Sequence, residues 1–123
     1  MADELEIWVN PACSKCRTAT AELDAAGIAY SVRRYLDEPP TATELADVLD
    51  RMGLDPWDVA RAAEVKAAGI DLPRDAEHRD DWIAAMVADP RTIQRPIITT
   101  TDGTTVVARD AATLQDVLAR QRG

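Results

Sequence analysis

Lysine and histidine are nearly missing from this chain. Lys15 and Lys66 are the only lysines, and His78 is the only histidine. A structural zinc ion takes about four ligands, mostly Cys and His. Two cysteines and one histidine far away in a polar stretch do not supply them, so no metal is expected. No apolar run approaches the roughly 20 residues that span a bilayer, and the opening Met-Ala-Asp-Glu-Leu-Glu is acidic where a secretory leader is basic. A cytoplasmic protein without membrane contact is the expectation. Positive charge is also short: 14 Lys and Arg face 22 Asp and Glu, a net charge of −8. Such a surface repels a phosphate backbone, so nucleic acid is not an expected partner. There are no repeats, linkers or low-complexity segments. The scarcity of lysine has one positive consequence. The cations that do meet a site are arginines, each a planar bidentate donor rather than a point charge.

What is present is enough for one ordinary domain. The 123 residues are 46% hydrophobic and 29% charged, a globular composition. The stretch around which the rest is organised is Asn10-Pro11-Ala12-Cys13-Ser14-Lys15-Cys16-Arg17. It follows a short strand pattern and opens a helix. Its cysteines are the only two in the chain. At positions i and i+3 they would close too small a loop to stabilise a fold by chain entropy. In a reducing compartment such a pair points to thiol–disulfide chemistry or metal binding. A helix N-terminus offers unpaired N–H groups and about half a positive charge. Both favour a thiolate at Cys13, and the same place accepts an oxyanion.

Hydrophobic spacing predicts the elements. Residues 5–10 alternate as a first strand. Ser14 to Ala26 reads as a helix with Ala19, Leu23 and Ala26 on one face and Gly27 stopping it. Residues 28–35 alternate as a second strand, which makes a β-α-β opening with parallel pairing. Asp37-Glu38-Pro39-Pro40 breaks the chain. Thr41 and Glu44 have the spacing of a capping box ahead of a helix with Leu45, Val48, Leu49 and Met52 inward. A further helix is expected from Pro56 through Val59 toward Val65, then an irregular stretch from Gly69 to Arg79, then a helix from Asp80 to Val87. Strands are expected at 95–100 and 105–108 around a hairpin turn at 101–104. Asp110 should cap a last helix with Leu114, Val117 and Leu118 inward. Trp8, Trp57 and Trp82 are expected as core or interface aromatics, with Trp8 also near enough to Asn10 to shape the mouth of the turn. His78 is expected on the surface. The order β-α-β, helices, β-β-α matches an α/β thioredoxin-like fold: one domain over residues 1–123 with a helical insertion at about 41–90. That fold places a proline, usually cis, before its third strand, and Pro96 stands there.

Five features give the chain a more specific likeness: Asn10-Pro11-Ala12-Cys13 after the first strand, Tyr35-Leu36-Asp37-Glu38-Pro39-Pro40-Thr41 after the second, Arg61 in the inserted helices, Arg91-Thr92-Ile93-Gln94-Arg95-Pro96-Ile97-Ile98 before the third, and Gly103-Thr104 leading to Arg109. In these the chain resembles the arsenate reductase (ArsC) family of the glutaredoxin-linked class, with its relatives the Spx-type regulators. The resemblance implies that Cys13 is the nucleophile toward arsenate or another small oxyanion. It implies that Asn10, Arg61, Arg95 and Arg109 hold the oxyanion and the thiolate, and that no cofactor is bound. Electrons would come from a thiol co-substrate such as glutathione or mycothiol, with a glutaredoxin- or thioredoxin-like protein as partner. A monomer is the default state.

Two positions set this chain apart. Val9 stands where reductases of this class often carry a histidine, and Cys16 is a second cysteine where they typically have one. Cys16 could serve as a resolving thiol that closes an internal disulfide with Cys13. Three readings follow: a thiol-dependent arsenate reductase, a general thiol–disulfide oxidoreductase or redox sensor, and an Spx-like regulator that binds another protein. The fold itself hosts both enzymes and regulators.

Overall fold

The alternating apolar residues at the start become β1 (Leu5–Val9), which lies inside a four-stranded sheet of order β2-β1-β3-β4. The computed structural model describes residues 4–122. β1 pairs in parallel with β2 (Tyr30–Arg34) and antiparallel with β3 (Ile97–Thr99), which pairs antiparallel with β4 (Thr105–Val107). The helices are α1 (Ser14–Ala25), α2 (Ala42–Met52), α3 (Ala62–Ala67), α4 (Arg79–Ala88) and α5 (Ala111–Arg122). This is the expected order, β-α-β then β-β-α with helices between the halves, and the fold is thioredoxin-like.

The chain divides into two compact units. One contains the stretch up to Tyr35 and the stretch from Arg95 onward; the other is Leu36–Gln94. In the first unit, Leu5, Ile7 and Val9 share a core with Ala19 and Leu23 of α1, Ile98 of β3 and Leu114, Val117 and Leu118 of α5. Leu23 is fully buried there. Its truncation to alanine removes the Cγ and both Cδ atoms and leaves a cavity in a packed interior. Leu23→Ala is therefore expected to destabilise the protein by roughly 2–5 kcal/mol, read as a lower urea midpoint with an unchanged slope. On the other face of β1, Trp8 is buried, its indole N–H donates to Glu6 Oε1 at 2.9 Å, and the Arg33 guanidinium stands 5.6 Å from its ring.

β2 corrects the simple alternation expected for 28–35. It is shorter, and Val32 is 48% exposed. The cause is its place at the sheet edge: a period of two says which residues share a face, not whether a neighbour covers that face. Tyr35, directly after β2, is fully buried.

In the second unit α2 begins with the expected capping box. Thr41 Oγ1 accepts from the Glu44 N–H, and Glu44 Oε1 accepts from the Thr41 N–H. It ends at Gly53 with φ +68°, a left-handed cap that costs a residue with a Cβ more than glycine. Leu45, Val48 and Leu49 are its buried face, and α2 packs on α4. Trp82 is buried in α4, with its N–H on the Pro73 carbonyl at 2.9 Å; Trp57 meets it edge to face at 6.2 Å but is only half-buried. His78 lies on a short 3₁₀ turn, its Nδ1 2.6 Å from Asp75 Oδ1.

The helix expected from Pro56 through Val65 is not continuous. A 3₁₀ turn at Pro56–Val59 gives way to extended backbone at Ala60 and Arg61, and α3 starts only at Ala62. The reason is a non-local pairing. Ala60 bridges Ile93, the Gln94 N–H donates to the Val59 carbonyl at 2.8 Å, and the Arg61 N–H donates to the Thr92 carbonyl at 2.7 Å. Arg61 thus sits at the N-cap of α3 and not within a helix.

Candidate active site

The turn between β1 and α1 is built by its own first residue. Asn10 Oδ1 accepts from the Ala12 N–H at 3.0 Å, and the Asn10 carbonyl accepts from the Cys13 N–H at 2.9 Å. The chain is thereby folded back so that Cys13 becomes the N-cap of α1 in extended conformation. Arg17 reaches back over the same loop and donates to the carbonyls of Pro11 and Ala12, both at 3.3 Å. No acidic residue stands in the first turn of α1, so nothing of negative charge competes there with a thiolate or a bound anion.

The two thiols occupy different surroundings. Cys13 is partly exposed; Cys16 is buried beside Ala19 and Leu23. Burial alone would raise the Cys13 pKa. The N–H of Cys16, the Arg95 guanidinium, the N–H of Lys15 and the Cys16 thiol outweigh it and bring Cys13 down from 9.0 to about 7. Cys16 goes the other way, to about 11. Burial is the main cause; the Asn10 backbone opposes it, the neighbouring Cys13 adds to it by charge and hydrogen bond, and Arg95 works weakly against it. Near neutral pH Cys13 is therefore in good part a thiolate, and the protonated Cys16 thiol donates to it.

Arg95 comes from the other end of the unit, directly before Pro96 in a cis peptide bond. Partial burial works against its charge, but hydrogen bonds to Cys13 and to Tyr35 hold it firmly protonated. Arg109 follows β4, and its Nη1 donates to the Arg95 carbonyl at 2.7 Å. One guanidinium touches the sulfur and a second fastens the backbone of the first. Of the residues expected at the site, Asn10, Cys13, Cys16, Arg95, Pro96 and Arg109 all belong to the first unit; Arg61 belongs to the second. There its Nη1 lies 3.4 Å from Gln94 Oε1, and its Nε 3.4 Å from Glu64 Oε1 without hydrogen-bond geometry.

Two residues escaped the sequence reading. Tyr35 was legible only as part of a motif and as a strand-end aromatic. Arg17 is exposed, and nothing in its position along the chain shows that it ties down the loop. A groove of about 190 Å³ adjoins the turn, with Pro11, Cys16, Arg17 and Val32 among its walls. A larger one of about 370 Å³ lies wholly within the second unit, between Trp57, Val65, Ile70 and Trp82. It contains no cysteine, so the chemistry is read from the thiols and not from cavity size. No described helix is long and apolar enough to cross a membrane.

The chain is similar to known proteins along most of its length. A protein from Streptomyces viridochromogenes, named only for lying in the glnII region, is 53% identical over 94% of this chain and 100% of its own length. The arsenate reductase of Neisseria meningitidis serogroup A is 34% identical over 94% of this chain and 98% of its own. Among solved structures, the arsenate reductase from Vibrio cholerae superposes with a TM-score of 0.80 at 28% identity, covering 92% of this chain and 96% of the other. Residues 8–117 match the ArsC family, and the chain belongs to that family.

Proposed function

We propose that this protein is a thiol-dependent arsenate reductase in which Cys13 is the nucleophile. The observation that carries the reading is the Cys13 sulfur at the open N-terminus of α1, in hydrogen-bond contact with an arginine whose own backbone is fastened by another. That combination supplies a thiolate near neutral pH and positive charge where an oxyanion must approach. The Cys13 thiolate attacks As(V) and displaces hydroxide, which leaves with a proton as water. A second thiolate then attacks the Cys13 sulfur. The S–As bond breaks, its electron pair goes to arsenic, and arsenite departs as As(III). Cys13 is left in a disulfide. Cys16 is assigned as that second thiol, a reading supported by the hydrogen bond of its S–H to Cys13. A glutathione- or mycothiol-type reductant, with a glutaredoxin- or thioredoxin-like protein, then reopens the bond. Arg95, with Arg109 behind it, is assigned to the oxyanion, and Asn10 to the shape of the turn. Purified protein given arsenate and each thiol system in turn should release arsenite; no release with any of them would sink the assignment.

The bonded Cys13–Cys16 pair also favours a second reading, a general dithiol oxidoreductase or redox sensor. That reading predicts a reversible internal disulfide under mild oxidant, seen by mass spectrometry as a loss of two hydrogens within one peptide, and no dependence of its formation on arsenate.

A further inference from the structure

The partners of Arg95 include more than a cysteine. Its guanidinium bonds to the Cys13 sulfur on one side and to the side chain of Tyr35 on the other. Tyr35 is wholly buried although it carries a hydroxyl, and a buried phenol needs a hydrogen-bond partner. It stands at the end of β2, where the chain leaves the first unit, and Arg95 stands where the chain returns to it. Each of these ends is anchored on its own. β2 pairs with β1 through Val9↔Arg34, and the Arg95 carbonyl is held by Arg109. An arginine side chain is long and has many rotamers to lose, and Cys13, partly exposed, holds it from one side only. The buried phenol is a partner on the other side.

We infer that Tyr35 is a positioning residue for this site: its hydroxyl accepts from Arg95 and holds the guanidinium against the Cys13 sulfur. The phenol does not touch the reacting atoms and acts only through Arg95. The ring fills the interior, and the oxygen selects the rotamer. This deepens the reading of the same site, but it concerns the thiolate and does not depend on which oxyanion the site accepts.

The test separates ring from hydroxyl. Tyr35→Phe keeps the packing and removes one oxygen. The Cys13 thiolate is titrated by its absorbance near 240 nm in the reduced full-length protein, without arsenate, in wild type, Tyr35→Phe, Arg95→Gln and the double variant. Arg95→Gln should raise the Cys13 pKa by about one pH unit, since an adjacent opposite charge shifts an acid by roughly 1–3. Tyr35→Phe should produce a measurable part of that rise, roughly half a unit, with its melting temperature recorded alongside. The double variant should match Arg95→Gln alone, because a residue acting through Arg95 has nothing left to position. A purely structural tyrosine would lower the melting temperature and leave the titration where it was. That outcome overturns the proposal, and so does an additive double variant. Arsenate turnover, measured separately, can fail while the titration result stands, and the reverse.

Discussion

Cys13→Ser is expected to abolish arsenite release, by at least about a thousandfold, without weakening the fold. The two halves of that expectation rest on different physics. Chemically, serine puts a hydroxyl where a thiol ionises at about 7. An unassisted hydroxyl stays protonated at neutral pH and is activated only by an adjacent base. The described neighbours are arginine, backbone N–H groups and the Cys16 thiol, and none of these is a base at that pH. An arsenate ester of serine could not be reduced by thiol attack on sulfur in any case. Structurally, position 13 is the N-cap of α1 and is partly exposed. Serine is among the best N-cap residues, because its oxygen accepts from the first-turn N–H groups. The variant should unfold at an equal or slightly higher denaturant midpoint while losing all turnover. A folded variant that still makes arsenite would remove Cys13 from the mechanism. Cys16→Ser is the informative companion. Its hydroxyl can still donate to the Cys13 thiolate, so arsenate attack should survive while regeneration slows; undiminished steady-state turnover would show that Cys16 does not resolve the intermediate.

The turn carrying Cys13 was legible in the sequence because its chemistry is local. Asn10, Pro11 and the helix start act within four residues of one another, and hydrogen bonds from the Ala12 and Cys13 N–H groups to Asn10 shape it. The capping box at Thr41 and Glu44 was legible for the same reason. The arginines were different. Composition says only that arginine carries nearly all the positive charge; placing Arg95 and Arg109 required the resemblance to a family. What stayed hidden depends on partners distant in the chain. The break at Ala60 and Arg61 comes from pairing with residues 92–94, more than thirty positions away. Helical spacing around Val59 and Val65 cannot reveal it. Tyr35 reads as one more apolar strand residue until its hydroxyl is seen against Arg95. The exposure of Val32 stayed hidden too, because alternation carries no information about which strand lies at the edge.

The second large effect is a difference between two cysteines three residues apart. At pH 7 about half of Cys13 is ionised, whereas Cys16, at about 11, is ionised to roughly one part in ten thousand. Ionised fraction alone favours Cys13 several-thousandfold. The more basic thiolate is the better nucleophile, and a Brønsted slope of about 0.4–0.5 over that gap returns a factor of roughly 40–100 to Cys16. The net preference is then on the order of a hundredfold, and the burial of Cys16 increases it further. A limiting dose of iodoacetamide near pH 7 should therefore alkylate Cys13 alone, as peptide mapping would reveal. The sign of the pH dependence follows from the lowered pKa: the rate rises through about 7 and levels off well below pH 9, where an ordinary cysteine would still be accelerating. Alkylation also removes the Cys13 charge, one of the causes that raise Cys16. Cys16 should consequently become easier to ionise in the modified protein than in the native one, and a second, slower phase should appear at alkaline pH. Equal labelling of both cysteines at pH 7, or a Cys13 rate still climbing above pH 9, would mean that neither the helix end nor Arg95 stabilises the thiolate. The oxyanion reading would then lose its physical basis along with the thiolate.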